Sequence, residues 1–449
     1  MKTVTAELRR RLDEPSSRGL ANAVSRAISD GVLEPGSKLP PIRHLAVELS
    51  LSPTTVSAAW ALLARSGAIR THGRRGTTVA DAMAPFAQRY ARALEHQEPF
   101  SLDLSTGVPD DALLPSLHNA MRSMTTAGTP TSYLDDPVLP ALQEVLLPEW
   151  PYATTALTIT DGAMDAMDLV ARTVFRLGDR VVLESPSFPP LVDLLEAIGV
   201  QIIGVPMDES GIDPHALHQV MRSPVAAVFL QPRAQNPTGV SMSPKRATTI
   251  GNLLRGTPTL VVEDDSAGNI SSSPPISLGA AIPEQTVHIR SFSKSHGPDL
   301  RLAAMSGPSV LMSAVTARRQ LGQGWSSRLL QRILLSLLTD DGPVREVAAA
   351  RDEYARRREA LVSELARHDV TIGGTDGINL WIPVHDEAAA IIRLAGHGIG
   401  VTPGQPFSTT HDQPPHIRVT AGLVAHGQAE LATQIALAAH TAAWGSRSR

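Results

Sequence analysis

SFSKSHGPDLRLA, residues 291–303, is the stretch on which the fold of this chain turns. It follows TVHIR, a β-rich run that predicts a strand, so Lys294 falls just beyond a strand end. A lysine amine condenses with an aldehyde to a Schiff base when its surroundings keep it unprotonated. Arg301 offers both a positive field for that purpose and an anchor for a phosphate, and Ser291 and Ser293 can donate to phosphate oxygens. Read alone, the stretch also fits a surface lysine beside a loop.

Four other stretches change the balance. VVEDDSAGNI (261–270) puts Asp264 and Asp265 at the end of an apolar strand, where a carboxylate can pair with a pyridinium nitrogen and keep it protonated. QPRAQNPTGV (231–240) offers Asn236, in a proline-bounded turn, to a ring oxygen. TDGAMDAMDLVAR (160–172) opens a helix at Asp161 or Gly162 after a strand, and free N–H groups at a helix start favour phosphate. ESPSFPP (184–190) supplies Phe188, which could stack on a ring. Each alone also fits a turn, an acidic strand end or a core side chain; the specificity lies in their joint occurrence, order and spacing. From about residue 101, runs such as ALTIT, DRVVLESP, AAVFLQP and TLVVEDD alternate with helical stretches, which predicts an α/β domain on a mixed or parallel sheet.

The first eighty residues follow another pattern. Leu20, Val24, Ala27 and Ile28 share a helical face, and Ile42, Leu45, Ala46 and Leu49 form a second after the turn EPGSKLPP. Ser52 caps a third helix that Pro53 opens, with Val56, Ala59, Trp60 and Leu63 inward and Thr54, Thr55 and Ser57 outward near its start. Runs around Ile69 and Val79 flank HGRRG (72–76), read as a two-stranded wing with Arg74 and Arg75 at its tip. Three helices and a basic hairpin describe a winged helix-turn-helix, whose third helix fits the major groove while arginines neutralise phosphate.

Composition is consistent with two such parts. The 449 residues exceed one compact core. Residues 1–80 carry twelve Lys and Arg against six acids, an excess of +6 that leaves −10 elsewhere in a chain of net charge −4. A basic small module on an acidic large one suggests that only the first part meets a polyanion. With no cysteine there is no disulfide framework and no thiolate metal site, and no other metal set is read. No apolar run reaches transmembrane length and no signal peptide is visible, so a cytoplasmic location is expected.

The run from Asp30 to Ala80, with its G-x-L-x-P-G-x-x-L-P start, Arg43 before Leu45-Ala46, Thr55-Val56 and a closing G-x-x-G-T, resembles the GntR-type winged helix. The later stretches, together with TGVPDDALLP (106–115), GVPMDESGID (204–213) and HIRVTAGLV (416–424), resemble a fold-type I aminotransferase from about Ser101 to Ala439. Joined, the two resemble the MocR-type regulators. The expected division is a DNA-binding domain 1–80, a linker 81–100 and an aminotransferase-like domain 101–449, its small α+β subdomain largely from 335–449. The resemblance implies pyridoxal 5'-phosphate as cofactor, with Lys294 as its Schiff-base lysine, Asp264 at the ring nitrogen, Asn236 at the ring oxygen and Phe188 as the stacking ring. It puts Gly162, Ala163, Met164, Ser291, Ser293 and Arg301 around the phosphate, with Tyr133 reaching the phosphate of a neighbouring subunit. It implies Arg418 on an effector or substrate carboxylate, Arg43, Arg74 and Arg75 on DNA phosphates, Thr54, Thr55 and Ser57 at the groove, and a homodimer.

Departures temper the transfer. Pro53 stands where a DNA-gripping arginine is usual, and Ser266, Ala267 and Gly268 follow Asp265 where many such enzymes have a tyrosine. Met164 replaces a polar residue, His296 and Asp299 are unusual neighbours of the lysine, and Val138 and Gln143 replace a glycine and an arginine. These losses weaken proton management more than cofactor retention. The expected function is a pyridoxal-phosphate-dependent regulator binding operator DNA and sensing an amino compound or a B6 vitamer. The alternative is an aminotransferase that retains a DNA-binding head.

Overall fold

The computed structural model describes residues 2–30, 32–34, 36–65, 69–71, 76–79, 89, 100–122, 132, 135–154, 157–410 and 413–441. Two units result: Met1–Arg89 with Val174–Val181 and Pro190–Ile202, and Tyr90–Thr173 with Val182–Pro189 and Ile203–Arg449.

The first unit begins with helix α1 (Lys2–Arg11), then α2 (Ser17–Ser29), α3 (Ile42–Leu49) and α4 (Pro53–Arg65). The Ser16 hydroxyl caps α2 by accepting from the Gly19 amide, and Ser52 accepts from Thr55 at the start of α4. Strands β1 (Ile69–Thr71) and β2 (Thr77–Val79) pair antiparallel, Ile69 opposite Val79, to form the wing. The faces predicted from periodicity meet in one core: Leu20, Val24, Leu45, Val56, Trp60 and Leu63 are all buried. Helix α1, which the sequence reading did not include, joins that core through Leu8, with Val4 and Leu12 packed beside it. Within the same unit Arg89 is held by helix Pro189–Ile198: its amide donates to Asp193 at 2.9 Å, and its guanidinium donates to Asp193 at 2.8 Å and Glu196 at 2.6 Å.

The second unit is built on an eight-stranded mixed sheet, a few of whose residues, in β5 and β6, fall in the first. After the short β3 (Leu102–Asp103), its strands are β4 (Leu157–Thr160), β5 (Arg180–Ser185), β6 (Gln201–Asp208), β7 (Gly211–Ile212), β8 (Ala227–Leu230), β9 (Leu260–Asp265), β10 (Thr286–Ser291) and β11 (Ala303–Ser306). Their order is β4-β11-β10-β9-β8-β5-β6-β7, with β8, β9 and β10 parallel and β11 antiparallel to both neighbours. Strands buried on both faces explain the continuous apolar runs: AVFL of β8 is buried at every residue, as is all of β9 after its first residue. A smaller body forms around helix Asp341–Ala366 and the antiparallel sheet of β12 (Leu380–Pro383), β14 (Thr402–Pro403) and β15 (His416–Val419). Strand β13 (Ile399–Gly400) reaches back to pair with β3. The expected winged helix and mixed-sheet α/β body are both present.

Candidate functional site

The C-terminal ends of β5, β8, β9 and β10 gather the polar groups, which is where ligands bind in open α/β sheets. Successive residues of a strand face opposite sides, so the two aspartates that end β9 part company. Asp265 turns to the buried Arg233, whose Nε donates to it at 3.2 Å within a second, closer contact. Asp264 accepts from Gln231 Nε2 at 2.6 Å through Oδ2, while its Oδ1 is buried with no partner among the described residues. Burial pushes the Asp264 carboxyl up to about 6, against the pull of Gln231 and Lys294. Lys294 is half-buried and donates to the Ser266 hydroxyl at 3.4 Å. Burial lowers its ammonium from the usual lysine range; Asp264 opposes the shift and Arg418 adds to it. Asp264 and Lys294 are thus electrostatic neighbours, and the hydroxyl that meets Lys294 comes from Ser266, the first of the three residues after Asp265 that include no tyrosine.

A second group of residues surrounds Gly162. Gly162 has φ +96°, a conformation that favours glycine, and helix Ala163–Val174 starts immediately after it. A Cβ at Gly162 would lie 3.4 Å from the Arg301 guanidinium, and Arg301 itself is left-handed at φ +48° and exposed. Ser291 Oγ accepts from the Ser293 amide at 3.3 Å; Ser293, Ala163 and Met164 are half-buried. Sequence reading did not weigh Asp165, which accepts from the Asp161 amide at 3.0 Å in the first turn of that helix.

Asn236 connects this floor to the smaller body. Its side-chain oxygen accepts from Asn379 at 3.4 Å and from Arg418 Nη1 at 3.5 Å. Arg418, on β15, is fully buried: Nη2 donates to the Ser105 carbonyl and to Thr402 Oγ1 at 3.1 Å, and the guanidinium lies 5.2 Å from the Phe407 ring centroid. Gly107 makes room, since a Cβ there would sit 3.0 Å from Nη1. Phe188, in the short link from β5 to helix Pro189–Ile198, is half-buried. Tyr133, Arg74 and Arg75 lie outside the described residues.

In the first unit, Arg43, Thr54 and Ser57 are exposed and Thr55 is half-buried. The Ser52 hydroxyl lies 2.6 Å from that of Thr54 and 2.8 Å from that of Thr55, so the helix start carries a linked set of hydroxyls. Sequence reasoning missed Gln231, Glu184, Asn379 and Ser266 as parts of the site. A polar residue directly after a fully apolar strand, as in AVFLQ, is the signal that points to Gln231.

Two family profiles match the chain: bacterial regulatory proteins of the gntR family over residues 16–79, and aminotransferase class I and II over residues 101–435. The vitamin B6 salvage pathway transcriptional repressor PtsJ of Salmonella typhimurium is 33% identical over 419 residues, spanning 91% of this chain and 95% of that protein. The chain belongs to the MocR-type regulators. It is also 27% identical to the pyridoxine biosynthesis transcriptional regulator PdxR of Corynebacterium glutamicum, over 87% of this chain and 88% of the relative. In fold, this MocR-type chain is similar to aspartate aminotransferase from Thermus thermophilus, with a TM-score of 0.70 at 21% identity over 80% of this chain and 97% of that one. Kynurenine aminotransferase from Pyrococcus horikoshii superposes with a TM-score of 0.68 at 22% identity, over 79% and 95%. The larger domain of the MocR-type chain therefore has the fold-type I architecture, behind a GntR-type DNA-binding head.

The residues present fit pyridoxal phosphate. Oδ1 of Asp264 is a buried acceptor lacking a donor, which a protonated ring nitrogen would supply. The Gly162 turn with its helix start and the Arg301 guanidinium would suit a phosphate. Among the described residues, no helix is long and apolar enough to cross a membrane.

Proposed function

We propose that this MocR-type chain is a pyridoxal-phosphate-dependent transcription regulator whose aminotransferase-like domain senses an amino compound or a B6 vitamer at Lys294. The reading rests on one observation above all: a buried Asp264 with an unpartnered oxygen, beside a lysine whose ammonium is disfavoured by burial. When bound, the cofactor supplies an electrophilic carbon and an electron-accepting ring. Lys294 would supply the amine for that carbon, Asp264 would hold the proton on the ring nitrogen, Asn236 would take the ring oxygen and Phe188 would stack on the ring. Gly162, Ala163, Met164, Ser291, Ser293 and Arg301 would hold the phosphate, with Tyr133 reaching that of the neighbouring subunit in a homodimer. Arg418 receives the carboxylate of an amino-bearing effector. PtsJ, named for vitamin B6 salvage, supports a vitamer as the effector class.

Residues 1–80 form the DNA-binding head, 81–100 the linker and 101–449 the effector domain, acting in the cytoplasm. Arg43, Arg74 and Arg75 meet phosphates, and Thr54, Thr55 and Ser57 lie at the groove. An effector alters DNA occupancy by binding one arrangement of the protein better than another. Turnover as an aminotransferase is the competing reading; the absence of a tyrosine among Ser266, Ala267 and Gly268 disfavours it, since Lys294 finds only the Ser266 hydroxyl, at 3.4 Å.

Borohydride reduction of the cofactor-loaded protein followed by peptide mass spectrometry tests the assignment. A cofactor adduct on the peptide containing Lys294 is expected, together with effector-dependent binding of promoter DNA. An unmodified peptide overturns the cofactor claim. Steady conversion of an amino acid to its keto acid, at tens of turnovers per second, would favour the enzyme reading.

A further inference from the structure

Neighbouring strands β9, β8 and β5 bring three buried polar residues into line: Asp264 on β9, Gln231 just after β8 and Glu184 on β5. Gln231, 8% exposed, is the link between the others. Its Oε1 accepts from the Asn236 amide at 2.7 Å, and its Nε2 donates to Asp264 Oδ2 at 2.6 Å, with a longer contact to Ser266 at 3.4 Å. The orientation of the carboxamide is forced. A backbone N–H can only donate, so it takes the oxygen, and the NH2 is left for the carboxylate. The main-chain N–H of Gln231 is itself held by Glu184 Oε2 at 2.9 Å.

One side chain therefore governs two groups. With Oδ2 fixed by a charge-assisted hydrogen bond, the Asp264 carboxylate cannot swing, and its free Oδ1 keeps one direction. The same amide anchors the first residue of the turn from which the Asn236 side chain reaches Asn379 and Arg418. The geometry points to Gln231 as a positioning residue that fixes the orientation of Asp264 and the seat of Asn236, and so sets cofactor affinity through both. This inference rests on the pyridoxal phosphate reading above. A glutamine placed only for packing would not need a donor on one side and an acceptor on the other.

The experiment uses the full chain. Wild type, Q231M, D264N, N236A and the doubles Q231M/D264N and Q231M/N236A are titrated with pyridoxal phosphate, following the visible absorption of the bound cofactor. Q231M should weaken binding about tenfold, the worth of a hydrogen bond to a charged group, and shift the band as the ring nitrogen loses its oriented partner. The factor lost through Q231M should shrink by roughly threefold or more in the D264N and N236A backgrounds, because the residue acts through those partners. The same factor in every background would overturn the inference, as would wild-type binding by Q231M. Should Q231M fail to fold, Q231E carries the same test: it keeps the acceptor for Asn236, loses the neutral donor to Asp264 and is expected to bind more weakly. If wild type itself shows no cofactor band, the parent reading falls and takes this one with it; a normal wild-type band with an unaltered variant sinks this one alone.

Discussion

Glu184 has one oxygen on the Gln231 amide and the other buried without a partner among the described residues, and burial raises its carboxyl from 4.5 to about 8. A pKa raised by folding means that the folded state binds the proton more tightly, so stability falls as pH rises from 4.5 through about 8. Glu184→Gln removes that titration. The protein without added cofactor should then show a flatter dependence of melting temperature on pH over this interval, and a higher melting temperature at its alkaline end. Arg233 tests the opposite case. Its pairing with Asp265 is buried on both sides, so Arg233→Met leaves an uncompensated carboxylate and should cost about 3–5 kcal/mol in chemical denaturation. These two neighbouring aspartates also mark a limit of reading sequence. Both sit at the end of an apolar run, and what distinguishes them is Arg233, which lies 32 residues upstream of Asp265 and meets it only once β8 and β9 are paired.

Elements were more legible than their contacts. The faces of α2, α3 and α4, the Ser52 cap and the wing strands follow from 3.6-residue periodicity and turn chemistry, and the buried residues match. Helix α1 was not read, although Val4, Leu8 and Leu12 recur every four residues and all pack on the core; the stripe is one residue wide and lies in a segment dominated by Arg9, Arg10 and Arg11. Ser52→Ala should destabilise the head by about 1 kcal/mol, as loss of an N-cap does, and should also weaken duplex DNA binding in fluorescence anisotropy by freeing the Thr54 and Thr55 hydroxyls. At the start of helix Ala163–Val174, Gly162→Ala imposes a side chain on φ +96° and brings it against the Arg301 guanidinium. Cofactor affinity should drop severalfold while the protein stays folded, as checked by absorbance titration beside circular dichroism.

For the whole molecule, the order of motifs revealed the class of fold, but not which strands become neighbours. β4 lies next to β11, and their pairing is fixed by packing between segments more than a hundred residues apart. Within the first unit, the Arg89 clamp on Asp193 and Glu196 fastens the chain shortly after the winged helix. Arg89→Ala should speed subtilisin cleavage between residues 80 and 100 and leave the visible spectrum of bound cofactor unchanged; equal cleavage rates would show that the clamp does not restrain the segment. The pairing of β3 with β13 has a different outcome. Leu102 is made early on the ribosome, yet its partner Ile399 emerges almost three hundred residues later. At translation speeds of about 5–20 residues per second, the first strand of the effector domain waits roughly 15–60 s for its mate. Over that interval the nascent winged helix can fold while the domain behind it is still unfinished.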